Sequence, residues 1–359
     1  MKKKKSRLQK AREEAEIAVE VVNRKIEELG VCASNLYENL NNMQVLFDKI
    51  RNVPTETKFE YNSIKEKTLC WKQQAEKIEK DYNDYSIKNA GKGVAGAGLG
   101  VAVVTLGPTV AMGIATTFGV ASTGVAISSL TGAAATNAAL AWLGGGALAL
   151  GGGGMAAGKA LLALAGPIGW TIAAVSILGS GLFYIKAHNE KERLEDIFTY
   201  IAVRDEKLYD LATIELKERI LRVENETKDL KNAVEQVKTF GEDYDQMTES
   251  QQYSLGAYLN LMSASTQLLI NPILGLQSKV NEHDFDSYFE GQKIQNKEIV
   301  LLLSNLFYGI VLEENDEKLL FKTFKKNKEF IEALEIEKSD FEISLIEDAI
   351  ALAKHKEIQ

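Results

Sequence analysis

The sequence predicts an all-α protein, and three observations carry that prediction. Apolar residues recur at alternating steps of three and four over several long stretches, and no β-alternation of useful length occurs. The 359 residues contain only four prolines, Pro54, Pro108, Pro167 and Pro272, which disfavours all-β and proline-rich classes. The expected architecture is a set of long antiparallel, coiled-coil-like helices flanking a Gly/Ala-rich apolar helical head, with further helices at the C-terminus.

The first arm has the cleanest repeat. Leu8, Ala15, Val22, Leu29, Leu36, Met43 and Ile50 recur every seven residues. The complementary seam holds Ala11, Ala18, Cys32, Leu46 and Val53, interrupted by Lys25 and Asn39. Such a stripe must be buried against another helix. Gly30 is a weak point in it, and Val53-Pro54 ends the run, because a residue before proline avoids helical geometry. A second run follows at Tyr61, Ile64, Thr68, Trp71, Ala75, Ile78, Tyr82 and Tyr85. A third reads Leu194, Ile197, Ile201, Arg204, Leu208, Leu211, then continues with a shifted phase at Leu216, Ile220, Val223, Thr227, Leu230, Val234 and Val237. Gly241 is its expected stop. Residues 253–276 form a dense apolar stretch broken at Asn271-Pro272, and shorter helices are expected at 299–312, 319–334 and 341–353.

Charge divides the chain sharply. Mean hydropathy is −0.13, yet residues 93–158 are 66 consecutive positions without Asp, Glu, Lys, Arg or His, and 26 more uncharged residues follow Lys159. Residues 1–92 carry a net charge of +4 and residues 186–359 a net −13, within a total of −8. Of the 28 glycines, 22 lie between Gly91 and Gly181. Four segments result: an N-terminal helical arm (1–92), a neutral glycine-zipper block (93–185), a long helical arm (186–245) and a C-terminal helical region (246–359).

The neutral block draws the functional expectation. A membrane helix needs ~20 mostly apolar residues to cross a ~30 Å hydrocarbon core, and residues 160–185 satisfy that count. Their anchor residues would be Leu161, Leu162, Leu164, Ile168, Trp170, Ile172, Val175, Leu178 and Phe183. Small residues recur every four positions at Gly145, Ala149, Gly153 and Ala157, then at Ala165, Gly169 and Ala173, a groove that lets helix backbones approach closely. Ser122, Thr123, Ser128, Ser129, Thr131 and Asn137 would line water or bond across an interface. Lys2, Lys3, Lys4, Lys5, Arg7, Lys10 and Arg12 could contact anionic lipid at ~1 kcal/mol each. The basic start has no apolar stretch behind it and does not read as a secretory signal. A cytoplasmic protein inserting into the inner membrane, oligomerising and permeabilising it, is the leading expectation. The alternatives are a non-permeabilising anchor that recruits partners through coiled coils, or a helical interaction protein with a buried glycine-rich core.

Catalytic chemistry finds no footing. Gly153 to Lys159 match the first seven positions of a phosphate-binding loop, but Ala160 stands where magnesium needs a hydroxyl, and no strand precedes it. Gly91, Gly93 and Gly96 satisfy a dinucleotide pattern in letters only. His188, His283 and His355 are scattered, and the Glu282–Asp286 run reads as an exposed loop. The two cysteines, Cys32 and Cys70, are expected as reduced thiols. No enzyme activity, cofactor, metal site or nucleic-acid partner is expected.

The pattern STG…AISSL…GAAATNA…AWLGGG within residues 119–162 resembles a glycine-zipper segment recurrent in bacterial proteins. It is similar in texture to the glycine-rich interferon-inducible membrane proteins of animals. The layout of helical arm, apolar head and helical arm is similar to the cytolysin A type of α-helical pore former and to apolipoprotein L. That resemblance implies an apolar hairpin that is hidden, then released into a bilayer, with no catalytic residues. Without an export signal, it implies an effector of defence or self-killing acting on its own cell.

Overall fold

The computed structural model describes residues 5–89, 108–119, 175, 178, 179, 182, 187–334 and 336–358. These residues are helical wherever they are regular. The helices are α1 (Arg7–Phe47), α2 (Thr55–Asn89), α3 (Pro108–Phe118), α4 (His188–Val237), α5 (Glu249–Ile270), α6 (Glu282–Tyr288), α7 (Lys297–Phe307), α8 (Asp316–Lys326), α9 (Lys328–Ala333) and α10 (Ile343–Ile358). Among the described residues the one β-type pairing is an isolated bridge between Arg51 and Asp243. The all-α expectation holds.

Helix ends follow local chemistry. Thr248 and Gln251 form a reciprocal capping box that starts α5, and Asn281 and Asp284 do the same for α6. Gly241, at φ +86°, follows the last turns of α4. α1 stops at Phe47, before Val53-Pro54, and the chain reverses through Asn52 at φ 61°.

The heptad line of α1 is buried along its whole length, from Leu8 through Ala15, Val22, Leu29, Leu36 and Met43 to Ile50. A second line that sequence reading passed over is buried too: Val19, Ile26, Ala33, Leu40 and Phe47, also seven residues apart. Two lines make a face wider than a two-stranded seam, so α1 is the core helix of a bundle. The α1–α2 pair is antiparallel, since Tyr61 meets Asp48 while Trp71 meets Tyr37. The α1–α4 pair is instead parallel: Cys32 meets Glu224 and Asn52 meets Asp243. Within the first arm α1 and α2 are therefore antiparallel, whereas α1 and α4 run parallel.

The buried seam of α4 needs no phase shift. It passes from Ile201 and Ala202 through Asp205, Tyr209 and Ala212 to Leu216, while Leu211 is 61% exposed. Hydropathy misdirected the reading here because a buried aspartate sits in the stripe. Asp205 is tolerated because the Arg204 guanidinium lies against it at 2.8 Å.

Contacts group the chain into two compact units that do not follow its four consecutive segments. The first contains α1 through Asn23, α4 through Ala212, and everything described from Gly275 onward. Its core is aromatic: Phe198, Phe307, Phe324, Phe330 and Phe341 interlock with Leu345, Ile346 and Leu352 of α10. Arg193 binds Asp316 bidentately, with its Nη2 2.6 Å from Oδ2, and Asp316 also accepts the Glu313 N–H at 2.6 Å. Burial pushes the Asp316 carboxyl up, but those bonds outweigh it and hold it below its ordinary value. The second unit contains α1 from Arg24, α2, α3, α4 from Thr213, and α5 with its loop through Leu274.

Among the described residues no helix is long and apolar enough to cross a membrane. The long helices α1 and α4 span 41 and 50 residues, but each carries a continuous charged face. The apolar helix α3 has only 11 residues, about 16 Å at 1.5 Å per residue, roughly half of a hydrocarbon core. This overturns the reading of a membrane-inserting, transmembrane pore former.

Candidate functional site: a sheathed apolar helix

α3 is the described helix of the neutral block. Pro108 opens it, a position where a preset φ and a missing N–H cost nothing. Gly119 closes it at φ +70°, its N–H bonded to the Ala115 carbonyl at 2.9 Å. Ala111, Met112, Gly113, Ile114, Ala115, Thr116 and Thr117 are all buried, so the helix has no water-facing side over two turns. Its two buried hydroxyls are satisfied internally: Thr116 donates to the Met112 carbonyl and Thr117 to that of Gly113, each at 2.8 Å. An apolar helix without charge thereby enters a protein core with its polar side chains paired.

The sheath is built from small residues on both sides. Gly30 of α1 and Gly113 of α3 meet back to back. A Cβ on Gly30 would overlap the Thr109 carbonyl oxygen, and one on Gly113 would overlap that of Ile26. The weak point expected in α1 is thus the contact that admits α3. α2 and α5 pack against α3 as well. Beyond it, Thr68 and Thr266 share a buried hydroxyl contact at 3.2 Å, and Ser265 donates to Glu226 at 3.1 Å.

Flanking networks hold the sheath. Tyr61 donates to the Gln44 carbonyl at 3.0 Å and to Asp48 at 2.7 Å, while Lys65 reaches Asp48 at 2.6 Å. Burial raises the Asp48 carboxyl, yet the Lys65 and Tyr61 hydrogen bonds and the Lys65 charge leave it below its ordinary value. Cys32 donates to Glu224 across 3.8 Å. Burial first, then the Glu224 and Glu28 carboxylates, push its thiol up to about 11. Both cysteines are free thiols.

The residues singled out from sequence fall as follows. Val175 and Leu178 are buried in the core of the first unit, in the same cluster as Leu8 and Ala11. The other expected anchors, Leu161, Leu162, Leu164, Ile168, Trp170, Ile172 and Phe183, lie outside the described residues. So do the small-residue line from Gly145 to Ala173, the polar face from Ser122 to Asn137, both glycine-rich phosphate patterns, and Lys2, Lys3 and Lys4. Lys5 pairs with Glu13 at 2.5 Å, Arg7 with Asp196 at 2.7 Å and Arg12 with Glu16 at 3.8 Å. Lys10 is exposed. The Glu282–Asp286 run is helix α6 rather than a loop, with Asp284 buried and 2.7 Å from Lys356. Among the described residues no cluster of metal-ligating side chains occurs.

Sequence reading missed Gly113, Arg219 and Glu215. A signal for the first was present: Gly113 lies in an uncharged stretch between Met112 and Ile114, where a glycine in a helix costs ~1 kcal/mol unless a close approach repays it. Arg219 and Glu215 carried no such signal, because their partners are backbone groups far along the chain. Compared with known proteins, the chain matches no family model, no characterised protein and no solved structure. Nothing in those comparisons identifies a glycine-zipper or cytolysin-like family.

Proposed function

We propose that this chain is a non-catalytic helical interaction protein whose uncharged helix α3 serves as buried core and whose outer helix faces meet a protein partner. The observation that carries the reading is the burial of α3 on every side within the second unit. A helix meant for lipid has no need of a glycine opposite it on a charged arm, such as Gly30, whereas a helix seated in protein does.

The partner we propose is a second copy of the chain, meeting α4 antiparallel. Ile214 and Leu221 are 63% and 58% exposed and one heptad apart. Lys217 and Glu218 lie exposed between them. In an antiparallel pairing centred there, Ile214 meets Leu221 of the second copy and Lys217 meets its Glu218, apolar on apolar and opposite charge on opposite charge. Light scattering after size exclusion tests this. The wild type should run as a dimer, and Ile214→Glu with Leu221→Glu should run as a monomer of unchanged helicity. A wild type that is monomeric at all concentrations contradicts the self-pairing.

A further inference from the structure

The exit of α3 is tied down by a short strap. Residues 271–274 follow the end of α5 and cross the C-terminal end of α3. The Ile273 N–H donates to the Thr117 carbonyl at 2.6 Å. At Gly119 the approach is closer still: a Cβ there would lie 2.5 Å from the Ile270 carbonyl and 2.8 Å from the Pro272 nitrogen. Ile273 is fully buried.

The strap is itself held from α4. Arg219 Nη1 donates to the Leu268 and Asn271 carbonyls, each at 2.8 Å, and Nη2 reaches the Pro272 carbonyl at 3.5 Å. The Glu215 carboxylate accepts the Leu274 N–H at 2.8 Å. One turn of α4 thus grips both ends of a four-residue segment, with a cation on its carbonyls and an anion on its amide. The carbonyls of Leu268 and Asn271 belong to the end of α5, where helix termini leave acceptors unsatisfied.

We propose that residues 271–274 form a latch that retains α3 in its sheath, with Arg219 as the positioning residue that keeps the latch closed. α3 depends on such a device because it is built mainly of small residues, with Met112 and Ile114 its largest buried side chains. Little apolar area per residue anchors it, and its buried threonines, Thr116 and Thr117, bond within the helix. Release of the strap therefore opens α3 before the long arms, as a local event. This inference rests on the sheathed α3 of the proposed function and adds its control point.

Peptide-resolved hydrogen exchange of the full chain tests both. In the wild type, amides of residues 110–118 should be protected to the level of α2 and α5; fast exchange there would overturn the sheath itself. In Arg219→Ala, exchange of α3 should accelerate on the order of ten- to a hundredfold, the effect of removing hydrogen bonds to a charged group, while α1 and α10 keep their rates. Arg219→Lys should give a smaller acceleration, since an ammonium keeps the charge and part of the bonding but cannot serve three carbonyls in a fixed fork. Unchanged α3 exchange in Arg219→Ala overturns the latch alone. So does uniform acceleration of every helix, which would make Arg219 a general support. If Arg219→Ala does not fold, Glu215→Gln is read by the same outcomes.

Discussion

The two compact units bury their apolar residues by opposite means. The first fills its interior with large aromatic rings: Phe324 lies 4.7 Å from Phe330 and 6.2 Å from Phe307, ring centre to ring centre. The second admits α3 by removing side chains, so that the backbones of α1 and α3 touch at Gly30 and Gly113. The first is stabilised by the volume it contains and the second by volume it lacks. Opposite substitutions should therefore break them.

Truncating a ring in the first unit has the largest expected effect. Phe324→Ala should cost about 3–5 kcal/mol, because it removes the ring that touches Phe198, Phe307, Phe330 and Phe341. Denaturant-dependent hydrogen exchange should show the loss in α7, α8 and α10. Adding one methyl in the second unit comes next. Gly113→Ala should cost about 1–3 kcal/mol, seen in α2, α3 and α5, since backbone must shift to make room. The contrast fails if Gly113→Ala is neutral or if Phe324→Ala weakens both units equally.

Acid sharpens the same comparison. In the first unit Glu16, Glu206 and Asp348 are raised, chiefly by burial; Glu13 and Glu20 add to this at Glu16, Glu14 and Asp210 at Glu206, and Glu347 at Asp348. A carboxyl raised on folding binds its proton more tightly in the native state, so stability rises as pH falls through the raised values. Asp48 in the second unit, like Asp316 in the first, is lowered, so its contribution is present above the ordinary 3.8 and is lost only as pH falls through its lowered folded value. Mild acid, down to just above 4.5, should therefore stabilise the α4–α10 core and leave the α1–α2 lock unchanged. Unit-resolved exchange midpoints across that range check it, and a loss of stability in the first unit would contradict the assignment.

The smallest expected effect is at a single thiol. With its value near 11 rather than the ordinary 9.0, Cys32 should alkylate about a hundredfold more slowly at neutral pH than in the unfolded chain, since only the thiolate reacts. Quantitative mass spectrometry of iodoacetamide labelling measures the ratio; equal rates in folded and unfolded chains would contradict the burial of the thiol beside Glu224.

Legibility in the sequence followed the physics of each element. The heptad line from Leu8 to Ile50 was readable because every member is apolar and the period is unbroken. Its companion line from Val19 to Phe47 has the same spacing and could have been found by asking whether one stripe suffices for a 41-residue helix. Asp205 hid the inner face of α4, because hydropathy cannot foresee that an adjacent arginine will neutralise a buried carboxylate. The neutral block misled for a related reason. Lack of charge marks avoidance of water, and a lipid interior and a protein core exclude water equally well. What separates them at α3 is Gly30, 83 residues away along the chain from Gly113, and no local pattern links the two. The pairing of Arg219 with backbone carbonyls beyond residue 267 was invisible for the same reason.

The central claim is that α3 is protein core, and a cysteine placed on it tests this most directly. Ala115 is fully buried, and Ala115→Cys adds a single sulfur in a chain whose Cys32 and Cys70 are replaced by serine. Labelling with a charged maleimide is measured with and without anionic vesicles. The account predicts protection in both conditions, with labelling only when denaturant opens the second unit. Rapid labelling of the folded chain in water, or transfer of an environment-sensitive probe at this position into the acyl chains on adding vesicles, would contradict it.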